Sequence, residues 1–296
     1  MSIASELTRI QGAKSDLRTS IINKGVQVPQ NALIDSYSGY VDQITQGGGG
    51  NIFDGVDFNY LFYKKRFLSK LDDVYNSSRG DLTIWQFSYL CNQCGTLSSE
   101  EMQKIFNIVE KFASCGNDSL GRTWYNNAFE SITISDNLNN LTFKPSINKT
   151  GRAYAENLFN SFKGTANNAA NLTIDLENFN PNTIAVNNMF NFTNSNINVH
   201  LLNIPVDRSY GGNFIFGNTY YTGSVVEATV RGAANSNIDI RNATRMTIAN
   251  YINFFNSFST TTATNRKVII PTTIYNQLTE DQKAIITDKG YILATS

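Results

Sequence analysis

Cys91 and Cys94 stand at the CxxC spacing of a zinc half-site, and a closed zinc site needs four ligands. The sequence has no second CxxC, and its single histidine, His200, follows more than a hundred residues later. The two cysteines, with Cys115 as the third, are therefore read as structural thiols and not as metal ligands. A serine or cysteine nucleophile relayed by histidine fails on the same count, because His200 sits alone in the strand-like run Asn198-Val199-His200-Leu201-Leu202. Glycoside hydrolysis needs no histidine, only two carboxyl groups flanking a sugar bond. Asp175 and Glu177 lie two residues apart on an expected strand and so share one face of it. No second carboxylate in an apolar setting opposes them, and they are read as solvated strand charges. No catalytic residue, metal ligand or cofactor is assigned, and the chain is read as not an enzyme.

Stacking on sugars is chemistry that the side chains do suit. Trp85, Trp124, Tyr125, Tyr210, Tyr220 and Tyr221 are set among Asn, Thr and Gly, so rings and hydroxyl-bonding groups occur side by side. Tyr210, Tyr220, Tyr221 and Trp124 are the candidate binding residues. Tyr220-Tyr221, between Gly217 and Gly223, is the pair expected to be most exposed. The phenylalanines of the same region are assigned to the core.

Composition limits the partners. Lys plus Arg number 24 and Asp plus Glu 24, so no global field draws nucleic acid or an anionic membrane. Charged residues are only 16% of the chain, and asparagine fills the gap with 39 copies, thirty of them between Asn126 and Asn265. Asparagine bonds its own backbone in turns, so this surplus beside β-branched residues predicts many short strands and many turns. No apolar run is long enough to cross a membrane. The amphipathic start, MSIASELTRIQGAKSDLR, has no apolar secretory core, and the expectation is a chain not secreted by a signal peptide.

The elements that must position these residues follow from periodicity. Ile3, Leu7, Ile10, Leu17 and Ile21 alternate steps of four and three, with Lys14 in the one missing place, which is the seam of a coiled coil. Gly25 and Pro29 end this helix. A shorter one is expected from about Asn31, with Leu33, Ile34, Tyr37, Tyr40, Val41 and Ile44 on one side. Residues 1–46 thus read as a helical anchoring and oligomerisation module, and the four glycines at 47–50 as a flexible linker. Residues 51–125 read as a mixed helical region, with amphipathic helices over Lys64–Tyr75 and from Ser98 or Ser99 onward. From 126 to 275 an aromatic-Asn turn followed by a short strand recurs. Its leading aromatics are Phe129, Phe159, Phe190 and Phe216, and its strands centre on Leu141, Leu172, Val199 and Val225. A shorter copy at Asn237–Ile240 and the run Lys267–Pro271 continue it. Such self-similarity predicts a solenoid. Residues 276–296 read as a cap: Thr279 and Gln282 form a capping box, the helix stops at Gly290, and Tyr291–Ala294 is a closing strand.

The body resembles the BspA-like leucine-rich repeats of bacterial surface proteins and phage fibres. The residues that carry this are Phe159-Asn160-Ser161-Phe162, Phe190-Asn191-Phe192 and the Leu-Thr-Ile strand at Leu172. Two further stretches resemble phage tail proteins: Lys24-Gly25-Val26-x-Val28-Pro29 with the Tyr37-Tyr40-Ile44 helix, and Leu278-Thr279-x-x-Gln282-Lys283-Ala284 continued by Asp288-Lys289-Gly290-Tyr291. The expected fold is α+β: a coiled-coil-like helical module, a mixed helical middle, then a leucine-rich-repeat β-solenoid with a helix-strand cap. The resemblance implies a bacteriophage virion fibre protein. It would be anchored to other virion proteins through residues 1–46, assembled as a homo-oligomer of three, and adhesive to host-surface glycan, with no nucleic-acid partner and no membrane insertion. The alternatives are a purely structural virion component, such as a head fibre or tail-hub accessory, and a glycan-cleaving fibre.

Overall fold

A computed structural model describes residues 3–22, 26–42, 51–54, 56, 58–78, 87–113, 122–136, 140–146, 152–167, 169–179, 183–185, 197–206, 209–210, 225–234 and 236–296. The glycine linker at 47–50, Phe190, Phe216, Cys115 and Trp85 lie outside them. The chain divides into two compact units, residues 1–56 with 76–78, and residues 57–75 with 79–296.

In the first unit, helix α1 (Ile3–Ile22) covers the heptad segment, and α2 (Tyr37–Asp42) follows a single 3-10 turn at Ile34–Ser36. Only the end of α1 is packed. Ile21 joins Val26, Val28, Ala32 and Tyr37 in a small core, with Ile22 and Tyr40 at its edge. Arg18 Nε donates to the carbonyl of Val28 at 3.0 Å and so holds the return loop against the helix.

The second unit opens on turns. The helix expected over Lys64–Tyr75 forms only at its end, as α3 (Leu71–Tyr75). Lys64, Lys65 and Phe67 take φ values of 51°, 66° and 55°, which no α-helix tolerates, so single 3-10 turns at Tyr63–Lys65 and Leu68–Lys70 replace it. Strand β1 (Gly95–Leu97) leads into α4 (Ser99–Phe112), which starts as expected. The Ser98 side chain accepts from Glu101 N while the Glu101 carboxylate accepts from Ser98 N, a complete capping box. The buried stripe Met102, Ile105, Phe106, Val109 and Phe112 sets Phe106 among Phe129 and Phe143, ring centres 5.0 and 5.1 Å away.

Short strands follow: β2 (Arg122–Trp124), β3 (Ile132–Ile134), β4 (Leu141–Phe143), β5 (Arg152–Tyr154), β6 (Lys163–Gly164), β7 (Ala170–Asp175), β8 (Thr183–Ala185), β9 (Ile197–Pro205), β10 (Ser209–Tyr210), β11 (Ala228–Arg231) and β12 (Ile238–Asp239). Then come α5 (Ile248–Ser257), β13 (Lys267–Ile269), α6 (Thr272–Tyr275), α7 (Glu280–Thr287) and β14 (Ile292–Ala294). All named pairings are parallel, in sheets ordered β1-β3-β6, β10-β8-β5-β2, β11-β9-β7-β4 and β12-β13-β14. The expected strand centres do meet: Leu141 pairs with Leu172, Leu172 with Val199, and Val199 with Val225.

The β-solenoid expectation nevertheless has to be corrected. The chain is a mixed α/β fold whose strands gather into four separate short parallel sheets of three or four strands, interleaved with helices, among the described residues. The aromatic-Asn turns are the physical reason. Each carries two left-handed residues four apart: Tyr60 and Lys64, Tyr89 and Gln93, Asn127 and Ser131, Asn157 and Ser161, all with φ between 51° and 60°. Left-handed backbone cannot continue a strand, so extended segments are cut to a few residues. The turns are bonded to each other instead. Phe62 N donates to Leu90 O at 2.8 Å, Cys91 N to Ala128 O at 2.9 Å, and Phe129 N to Leu158 O at 3.0 Å. The Glu130 carboxylate stitches three neighbouring turns, accepting from the amides of Asn92, Asn127 and Asn160 at 2.6, 2.9 and 3.0 Å. Beneath them Phe58 stacks on Phe87 and Phe87 on Tyr125.

Candidate functional site

The seam of α1 is open for most of its length. Ile3 is 83% exposed, Leu7 54%, Ile10 45% and Leu17 41%, whereas Ile21 is 1% exposed. Lys14, the polar residue in the seam, has its ammonium 5.9 Å from the centre of the Tyr37 ring, a cation-π contact within its own unit. The helix is thus fixed at one end and presents bare apolar side chains beyond it. Leu33, Ile34 and Val41 add further exposed apolar surface in the same unit.

The aromatic candidates divide three ways. Tyr125 is buried and stacked 5.1 Å from Phe87, so it serves the core. Tyr220 and Tyr221 lie outside the described residues. Trp124 and Tyr210, 86 residues apart in the chain, fall in one row of one sheet: Trp124 pairs with Tyr154, Tyr154 with Ala185, and Ala185 with Tyr210. Sequence reading missed Tyr154. Its signal was the 30-residue offset from Trp124, the same as the offset between Phe129 and Phe159.

The residues weighed for catalysis are occupied locally. Asp175 takes an ion pair from Lys144 at 2.9 Å, and its other oxygen accepts from Glu177 N at 3.0 Å. His200 Nε2 lies 3.0 Å from the Asn171 side-chain oxygen, which also accepts from the Asn198 amide. The sulfurs of Cys91 and Cys94, both buried, are joined as a disulfide, which replaces the expected thiols and leaves neither sulfur as a thiolate donor. The physical reason is the turn itself, whose Cys94 N donates to Cys91 O and brings the two side chains to one side. Among the described residues no three His, Cys, Asp or Glu side chains gather as a metal site, and no helix is long and apolar enough to cross a membrane.

One carboxyl that sequence reading passed over is electrostatically unusual. Burial holds the Glu110 carboxyl above the usual carboxylate range, against the opposing pull of the Lys144 backbone N–H, which donates to it at 2.6 Å, and of the Lys144 charge. The folded chain therefore holds this proton more tightly than the unfolded chain. The stabilisation is complete below the ordinary glutamate pKa and is lost as pH rises through the raised value. Glu110→Gln keeps an acceptor for Lys144 N and removes the titration. It is expected to flatten the fall in melting temperature between the ordinary glutamate pKa and neutrality, and an unchanged slope in a thermal melt series over that window would count against this account.

Comparison with known proteins finds no matching family model, no similar curated protein and no similar solved structure.

Proposed function

We propose that this chain is a structural and adhesive protein of a bacteriophage virion, not an enzyme, docked through residues 1–46 and presenting its second unit to a host-surface glycan. The exposed seam of α1 carries the reading. Four exposed isoleucines and leucines on a helix anchored only at its end are costly in water and are relieved when a partner covers them. Three copies of this chain are the occupant proposed, with other virion proteins continuing the contact. A trimer on a particle engages several glycans at once and gains avidity from effective concentration. Asp175, paired with Lys144 and accepting from the Glu177 backbone N–H, lends no support to glycan cleavage.

The test uses the full chain. Light scattering at micromolar concentration should give a trimer for the native sequence and a monomer for Leu7→Glu/Ile10→Glu. Each covered side chain is worth roughly 1.5–3 kcal/mol, so the double change should abolish association while leaving the melting temperature of the second unit in place. The monomeric variant should also fail to enter particles. A native chain that is monomeric under these conditions overturns the trimer, and particle incorporation of the double variant overturns docking through α1.

A further inference from the structure

The seam of α1 is asymmetric from end to end. Ile3, Leu7, Ile10 and Leu17 are open, whereas Ile21 is closed by its own unit. In heptad terms Leu7, Lys14 and Ile21 hold the a places, and Ile3, Ile10 and Leu17 the d places. Lys14 is half-buried, and its ammonium lies over the buried Tyr37 ring, so the charge is drawn toward its own unit and away from the seam. The charges that border the seam are also held locally. Glu6 is paired with Arg9 of the same helix at 2.6 Å, and Arg18 donates to the Val28 carbonyl. The other bordering positions, among them Gln11 and Ala13, are uncharged.

We infer that α1 meets further copies of itself in parallel and in register, with the closed end at Ile21 setting the orientation and Lys14 setting the register. The inference rests on the self-association proposed above and adds its alignment. Antiparallel packing pairs a places with d places, and so sets Ile3 against Ile21, Leu7 against Leu17 and Ile10 against Lys14. Ile21 is already covered. Ile3, the most exposed of the set, then finds no partner, and Ile10 faces a side chain turned out of the seam. Parallel packing puts open residues on open residues. A slip of one heptad sets Leu7 of one copy against Lys14 of the next and leaves an Ile3 uncovered. In register, the lysines share one layer with each ammonium over its own Tyr37, and every open apolar residue meets its own kind. A single polar residue at an a place fixes register in this way, and leucine at a beside isoleucine at d favours more than two strands. The borders agree, because across a parallel seam Glu6 faces Gln11 and Ala13 faces Arg18, so no like charges meet.

The experiment mixes two full-length chains, both with Cys115→Ser, one carrying Ile10→Cys and the other Leu17→Cys with a size tag. Cross-linking proceeds in a glutathione redox buffer and is read on a non-reducing gel, with light scattering on the same samples. A link needs Cα atoms within about 7 Å, and residues 10 and 17 lie about 10 Å apart along a helix. Parallel helices in register should link each chain to its own kind and not to the other. Links between unlike chains report a slip of one heptad, and an oligomer without links reports antiparallel helices. Either result overturns the inference and leaves docking through α1 standing. A monomer in light scattering removes the self-association and the alignment together. Lys14→Ile in both chains makes the seam uniform, and should tighten association about tenfold or more while links between unlike chains appear beside the like ones. If the Lys14→Ile chains still link only to their own kind, the lysine does not set the register.

Discussion

Arg241→Ala should lower the stability of the second unit by about 3–5 kcal/mol. Asp239, in β12, is 1% exposed, and its carboxylate is held almost wholly by this one arginine. Arg241 Nε donates to both oxygens at 3.0 Å, Nη2 to one of them at 2.6 Å, and Arg241 N to the other at 3.1 Å. Truncation would leave a buried charge with a backbone N–H as its remaining described donor. The loss is large against a typical total of about 5–15 kcal/mol. It should loosen β12 from β13, where Ile238 meets Val268 and Asp239 meets Ile269. The double change Asp239→Asn/Arg241→Met should recover most of the loss, because removing both charges leaves none uncompensated. Urea denaturation distinguishes the cases. An Arg241→Ala midpoint within experimental error of the native chain would mean that the carboxylate is not dependent on the arginine.

Lys289→Met should cost on the order of 3 kcal/mol. Helix α5 ends without a glycine, and its last carbonyls are capped from a distant part of the chain. Lys289 Nζ donates to Phe255 O at 2.9 Å, Asn256 O at 2.8 Å and Phe258 O at 2.7 Å. A cation at a helix C-terminus also meets the negative end of the helix dipole. Burial pushes the Lys289 pKa below the usual lysine range, so part of the gain is offset by desolvation. Three ammonium donors suit three converging carbonyls, and a planar guanidinium does not, so Lys289→Arg should restore little. The neighbouring residues fix the lysine in place. Gly290 takes φ of +89°, and a Cβ there would sit 2.6 Å from the Thr261 carbonyl oxygen. The Tyr291 hydroxyl donates to Ser259 O at 3.1 Å and accepts from Ala234 N at 2.8 Å. Thermal denaturation should show the lower melting point, with faster amide exchange in the last turn of α5. Native-like protection there would refute the capping role.

The residues that act within a few positions of themselves were legible in the sequence. Heptad spacing placed α1, a serine at 98 or 99 followed by Glu100 and Glu101 placed the start of α4, and Thr279 and Gln282 placed the start of α7, each because a helix end or face is set by local geometry. The strand centres Leu141, Leu172, Val199 and Val225 were legible too, because one apolar residue recurs at each return of the chain. Tertiary structure decided the rest. The helix drawn over Lys64–Tyr75 gave way to left-handed turns, because the backbone groups of Phe62 and Lys64 bond to a turn some thirty residues later and not to their own helix. Such stacked turns keep the strands short and divide them among separate parallel sheets, where periodicity alone implied one solenoid. The disulfide between Cys91 and Cys94, the burial of Tyr125 and the reach of Lys289 to α5 likewise follow from where distant segments come to rest. Trp124 and Tyr210 could be picked out by residue type, but only pairing across β5 and β8 puts them in one row beside Arg122 and Arg152, since strand register is a property of the folded sheet and not of any single strand.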